Sequence, residues 1–353
     1  MNARICIAVL CLLPGSAAAQ GFAGLGTAAD GFALPQNPAR FEFPADHGPH
    51  PGYRIEWWYL TATLQGPDGT DYGVQWTLFR SALAPRAAEG WEATQLWMGH
   101  AGLTTPDAHY SAERLARGGI GQAGARAEPF SAWIDDWAMT STSGAGQDAY
   151  DALSVTARGD GMAYDLDLQA TGPLVFHGDD GYSVKSPEGQ ASYYYSQPFY
   201  EVRGTLDLPG GAVPVTGTGW LDREWSSQPL SETQEGWDWV SLQFADGARL
   251  MGFTLREAGG GVFTSATWIA PDGTTTAYSD GALSMTPLAE TSVAGREVPT
   301  EWRIELPDRD VDITTEPLNA RSWMDVSVSY WEGPLRFSGS HAGRGYLEMT
   351  GYD

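Results

Sequence analysis

One stretch constrains the fold of this chain more than any other: Tyr53 to Arg80, reading YRIEWWYLTATLQGPDGTDYGVQWTLFR. Two aromatic and β-branched runs flank Gly66-Pro67-Asp68-Gly69, where proline presets φ and glycine accepts a positive φ, so the stretch reads as a β-hairpin. If Leu64 lies opposite Tyr72, then Ala62 faces Val74, Leu60 faces Trp76, Trp58 faces Leu78 and Glu56 faces Arg80. Period-two alternation puts all of these on one side of the sheet. That side is apolar except for one carboxylate and one guanidinium, which predicts a Glu56–Arg80 ion pair at the open end. The other side carries Trp57, Tyr59, Gln75 and Phe79. A hairpin apolar on both faces needs a layer on each, as in a closed barrel or a double sheet.

The remainder of the chain repeats this grammar. It holds 44 glycines and 15 tryptophans without a long amphipathic helical pattern, which favours many short strands joined by tight turns. At 353 residues it exceeds one small barrel, so the reading is all-β, with two antiparallel β-barrel domains packed together over residues 41–228 and 229–353. Helix is expected only around Ser111–Leu115. Residues 20–40 read as a flexible leader. Residues 1–19 read as a secretory signal, with Arg4, an apolar run from Ile5 to Leu13, and an Ala-x-Ala site cut after Ala19. The apolar run is too short to span a bilayer, so no stable membrane insertion is expected. Cys6 and Cys11 leave with the signal, and neither a disulfide nor thiol chemistry is then available. These features place the protein in the periplasm or outside the cell. A formal charge of −24 argues against nucleic acid and anionic membranes as partners.

Candidate chemistry is sparse. His47 and His50 sit in a Pro/Gly loop with no Cys or third His nearby, so the reading is a rigid loop rather than a metal site, with the imidazoles bonded to backbone. His100 lies in an apolar strand, where a satisfied core histidine is the simpler account and proton transfer the sharper one. The strand Trp220-Leu221-Asp222-Arg223-Glu224-Trp225 puts Trp220, Asp222 and Glu224 on one face. Carboxylates two apart on a strand suit an acid/base pair if burial raises one pKa and spares the other.

Together these segments resemble the carotenoid 1,2-hydratase (hydroxyneurosporene synthase) family and its secreted lipocalin-like relatives. The resemblance rests on His50…Glu56-Trp57-Trp58-Tyr59, Gln75-x-Thr77-x-Phe79-Arg80, His100, Ser192-Tyr193-Tyr194-Tyr195-Ser196, Trp220-x-Asp222-x-Glu224-Trp225-Ser226, Tyr330-Trp331-Glu332-Gly333 and Gly345 to Tyr352. It implies two lipocalin-like barrels, an apolar ligand, and, for the hydratases, addition of water across a terminal isoprenoid double bond without a cofactor. Two departures stand out. Arg223 occupies the position where the family commonly has histidine, and an arginine cannot hand over a proton. The downstream Tyr-x-Asp strand is also missing from Leu250–Leu255.

Three functions follow. The first is a carrier of an isoprenoid or lipid, lined by Trp58, Tyr59, Trp76, Arg80, Tyr194, Trp220, Trp225 and Trp237. The second is an acid/base enzyme on such a molecule, using Asp222, Glu224, Glu56 and His100. The third is an accessory protein that presents lipid to an envelope transporter. Serine hydrolysis is disfavoured, because no Gly-x-Ser-x-Gly elbow is present. The carrier reading ranks first, with the enzyme next.

Overall fold

A computed structural model describes Leu25, residues 29–86, Ala88 and residues 90–352. The segment read as a signal lies outside these residues. Residues 29–40, read as leader, carry fixed contacts: Ala33 N–H donates to Gly52 O at 2.9 Å, and Asn37 Nδ2 donates to Asp179 Oδ2 at 2.8 Å.

Two antiparallel sheets build the described chain, with no α-helix among the described residues. The first has 13 strands and forms a nearly closed barrel; the second has 10 and forms a half-barrel. This is the all-β, lipocalin-like arrangement of two packed barrels. At the heart of the first sheet lies strand Ile55–Gln65, between its hairpin partner Asp71–Ala82 and the motif strand Gly211–Ser226. The hairpin register is the one the sequence implies, with Glu56 opposite Arg80 and Leu60 opposite Trp76. Trp58, Leu60, Trp76 and Leu78 are fully buried in the barrel core. Each buried indole removes about 150–250 Å² from water, so this face dominates the barrel's stability.

The opposite face of the hairpin is covered by the second sheet. Its centre is strand Gln234–Phe244, between Arg249–Glu257 and Gly343–Met349. Tyr59, Tyr194 and Trp220 from the first sheet share one apolar layer with Trp239, Phe253 and Tyr346 from the second. The sheets meet closely at Gly73, where an added Cβ would come within 2.3 Å of the Pro334 ring, so glycine is required there by the packing.

Two expectations need correction. Ser111–Leu115 is not helical but lies in strand His109–Arg117, paired along its length with Gln95–Thr104. Long-range pairing there overrides the local preference of Ala-Glu-Arg-Leu for helix. The two loop histidines bond side chains rather than backbone. His47 contacts the Tyr195 hydroxyl at 2.8 Å and Asp148 at 3.0 Å; His50 contacts Asp46 and Glu56 and stacks on Trp225 at 3.9 Å.

Candidate active site

The apolar layer between the sheets is not filled. A cavity of about 110 Å³ is walled by Trp57, Tyr59, Tyr194, Asp222 and Glu224 from the first sheet and by Trp237, Trp239, Phe253 and Glu348 from the second. A wider space of about 560 Å³, lined by His100, Trp97 and Tyr330, shares Ile55, Phe79, Trp237 and Glu348 with it. The geometry follows from alternation. The pairing sets Tyr59 against Asp222 and Trp57 against Glu224, so all four side chains emerge on the sheet face turned to the second sheet.

Asp222 is 1 % exposed. Its Oδ1 accepts from Trp220 Nε1 at 2.8 Å and from the Ser196 hydroxyl, while its Oδ2 has no hydrogen-bond partner. Burial pushes this carboxyl up to about 7, outweighing the hydrogen bonds of Ser196, Trp220 and Tyr194 that act in the other direction. Ser196 and Trp220 occupy Oδ1, so the proton belongs on Oδ2. Behind Ser196 lies His177, its Nε2 2.6 Å from the serine oxygen. Because Ser196 donates to Asp222, His177 donates to Ser196 and its Nδ1 is the bare nitrogen, which has no partner. Burial, then the charge of Lys185, push this imidazole down to about 3, so it stays neutral.

The facing wall holds two more acids as cross-strand neighbours, Glu332 and Glu348. Glu348 accepts from Trp237 Nε1 at 2.6 Å, and burial raises it to about 7. Glu332 accepts from the Tyr59 hydroxyl, and its other oxygen is unpartnered. Burial and the nearby Glu348 push Glu332 well above the usual carboxylate range. Glu224 differs from these: it is ion-paired with Lys185 at 3.0 Å and accepts from the Ser192 hydroxyl. His100 stands in the wider part between the Tyr330 hydroxyl at 3.1 Å and Glu113 at 3.2 Å, and burial lowers its pKa.

Of the side chains singled out from sequence, Tyr59, Tyr194, Asp222, Glu224 and Trp237 meet in the narrow cavity, His100 lines the wider one, and Trp220 backs Asp222. Glu56, Trp58, Trp76, Arg80 and Trp225 sit instead on the opposite face, in the interior of the first barrel. There Glu56 is held by both Arg80 and Arg223, and Arg223 lies 3.9 Å over the Trp58 ring. Arg223 thus faces away from Asp222 and does not touch the acids of the cleft. Sequence reasoning missed Lys185, His177, Trp239, Glu332 and Glu348. Glu332 and Glu348 lay in motifs quoted above without being given a role, and Lys185 carried a readable signal as the one lysine of the chain.

This arrangement is that of two packed lipocalin-like barrels with buried acids in the aromatic seam between them. A family model for AttH-like proteins matches residues 34–352, and the chain belongs to that family. A crystal structure of a protein described as an AttH from Nitrosomonas europaea superposes with a TM-score of 0.81 at 32 % identity, covering 91 % of this chain and 100 % of that one. Kievitone hydratase from Nectria haematococca shares the fold at a TM-score of 0.68 and 15 % identity, over 90 % and 95 % of the two chains. CghA, solved with Sch210972, does so more distantly, at 0.52 and 10 %, over 84 % and 88 %. No curated protein matches the sequence.

Proposed function

We propose that the protein is an acid/base enzyme of hydratase type, adding water to a carbon–carbon double bond of an apolar molecule bound between the two sheets. The observation that carries this reading is the Asp222 carboxyl, which is buried at the cleft wall, holds its proton near neutral pH and has one oxygen free of any partner. A structural carboxyl would be paired, whereas a general acid must keep its proton until it is needed. In the reaction, Asp222 Oδ2–H protonates one alkene carbon, a water oxygen bonds to the other, and the surplus proton of that water returns to the carboxylate. The chain of His177 and Ser196 fixes Oδ1 and so aims Oδ2. The aromatic walls, Trp57, Trp237 and Trp239, exclude bulk water and stabilise positive charge on carbon through their ring faces.

Kievitone hydratase, by its name a hydratase, and the motif-level resemblance to carotenoid 1,2-hydratases both support this class. An isoprenoid is the substrate we propose, and the signal-like N-terminus supports a periplasmic or secreted site of action. The test is incubation with isoprenoid alkenes of increasing length in oxygen-18 water. A product gaining one labelled water with wild type, and lost in Asp222→Asn without a change in melting, is the expected result. The apolar cleft walls equally support a second reading, a carrier without turnover, for which an envelope transporter is the partner to test. Tight binding of these alkenes with no label incorporated would favour it.

A further inference from the structure

Lys185 is the single lysine among 353 residues; all the other cationic side chains of fixed charge are arginines. Where the chain needs a cation to hold a buried carboxylate it uses arginine, as with Arg80 and Arg223 on Glu56 and Arg256 on Asp238. That choice suits a structural pair, because guanidinium binds in a fixed fork and is weakly hydrated. The one lysine is placed in the cleft, 6 % exposed, on the wall that also carries Asp222 and Glu224. Its backbone is pinned from two directions, by its N–H donating to Gln190 O at 2.7 Å and by Gln234 Nε2 donating to its carbonyl at 2.8 Å. The ammonium lies 3.0 Å from Glu224, 4.8 Å from the centre of the Tyr194 ring and 4.3 Å from that of Phe253. An ammonium has three donors, and Glu224 takes one of them.

We propose that Lys185 anchors an anionic oxygen, a carboxylate or an ionised phenol or enol, on an otherwise apolar ligand. The cleft then selects amphiphilic acids over pure hydrocarbons. The inference rests on the cleft being the ligand site, and it sharpens the substrate class of that reading. The molecule as a whole carries −24, so an anion enters only where a local cation offsets the general repulsion. The neighbouring acids do not oppose it below neutral pH, since burial pushes Asp222 and Glu348 up to about 7 and holds Glu332 well above the usual carboxylate range.

Two fluorescent probes of one skeleton test this. 1-Anilinonaphthalene-8-sulfonate carries an anion, and N-phenyl-1-naphthylamine is its neutral counterpart. Lys185→Met keeps the length of the side chain and removes the charge. It should weaken the anionic probe about tenfold or more, the worth of a charge-assisted bond, while the neutral probe stays within about twofold. Equal weakening of both probes would mean that Lys185 only shapes the cleft, and an unchanged anionic probe would mean that it is no anchor. Either result overturns the proposal while leaving the cleft as a ligand site. If wild type binds neither probe, the cleft itself fails as the site. Should Lys185→Met not fold, acetylating the folded wild type at its only lysine, located by peptide mass, removes the same charge and must give the same selective loss.

Discussion

The two faces of strand Ile55–Gln65 bury carboxyl groups to similar depth and give them opposite fates. On the barrel side Glu56 is fully buried, yet Arg223 and Arg80 hold it well below the ordinary carboxylate range against the cost of burial. On the cleft side Asp222 and Glu332 are each 1 % exposed, but their donors are neutral: tryptophan, serine and tyrosine. Burial then wins and the protons stay on. Depth does not decide the state of a carboxyl; the charge of its partners does. The first arrangement locks the hairpin to the Asp46–Tyr53 loop, and the second keeps Asp222 as an acid on the cavity wall.

The comparison breaks most visibly on the barrel side. Arg80→Ala strips Glu56 of one of its two cations and should cost about 3–5 kcal/mol in chemical denaturation, because a charge is left buried and under-compensated. A loss below about 1 kcal/mol would mean that Glu56 simply picks up a proton and that the two faces are alike.

The pH dependence of stability separates the faces next. Asp222 has its pKa raised from 3.8 to about 7, so between these values the folded chain keeps a proton that the unfolded chain has released. Its contribution is therefore complete below about pH 3.8 and lost as pH rises through 7. Glu56 runs the other way: its pKa is depressed, so its contribution is present above its ordinary 4.5 and lost as pH falls below that. Melting curves should show Asp222→Asn gaining on wild type by about 2–3 kcal/mol from pH 5 to pH 8. Parallel curves would place an ionised aspartate in the cleft.

The smallest effect is expected at Glu332. Glutamine mimics a protonated glutamate and can still accept from Tyr59, so Glu332→Gln should shift stability by less than about 1 kcal/mol at neutral pH. Glu56→Gln, the same change on the other face, leaves two buried guanidiniums without their anion and should behave like Arg80→Ala. Equal costs at the two positions would erase the distinction.

Much of the scaffold was legible in the sequence, because alternation is a local property. The hairpin register, its double apolar character and the common face of Trp220, Asp222 and Glu224 all follow from period two and one turn. So does the split at the C-terminus, where Tyr346 and Glu348 face the cleft while Leu347 and Met349 enter the second core. What stayed hidden depends on which face meets which layer. The hairpin register already gives Glu56 its Arg80, but only the tertiary fold adds Arg223 and leaves Asp222 with neutral donors alone. Glu332 and Glu348 become neighbours through pairing of strands Tyr330–Gly339 and Gly343–Met349, and neither residue carries a local mark of it. The Ser111–Leu115 segment failed for the complementary reason, since its local preference was real but weaker than its pairing.

The most direct measurement is the infrared absorption of protonated carboxyl groups in wild type and Asp222→Asn across neutral pH. The wild-type protein should show, at pH 6, a carboxyl C=O band component that the variant lacks, fading with a midpoint near 7 as the proton leaves Asp222. Identical spectra at pH 6 would show that Asp222 is already ionised, and a cleft acid poised for proton transfer would be contradicted.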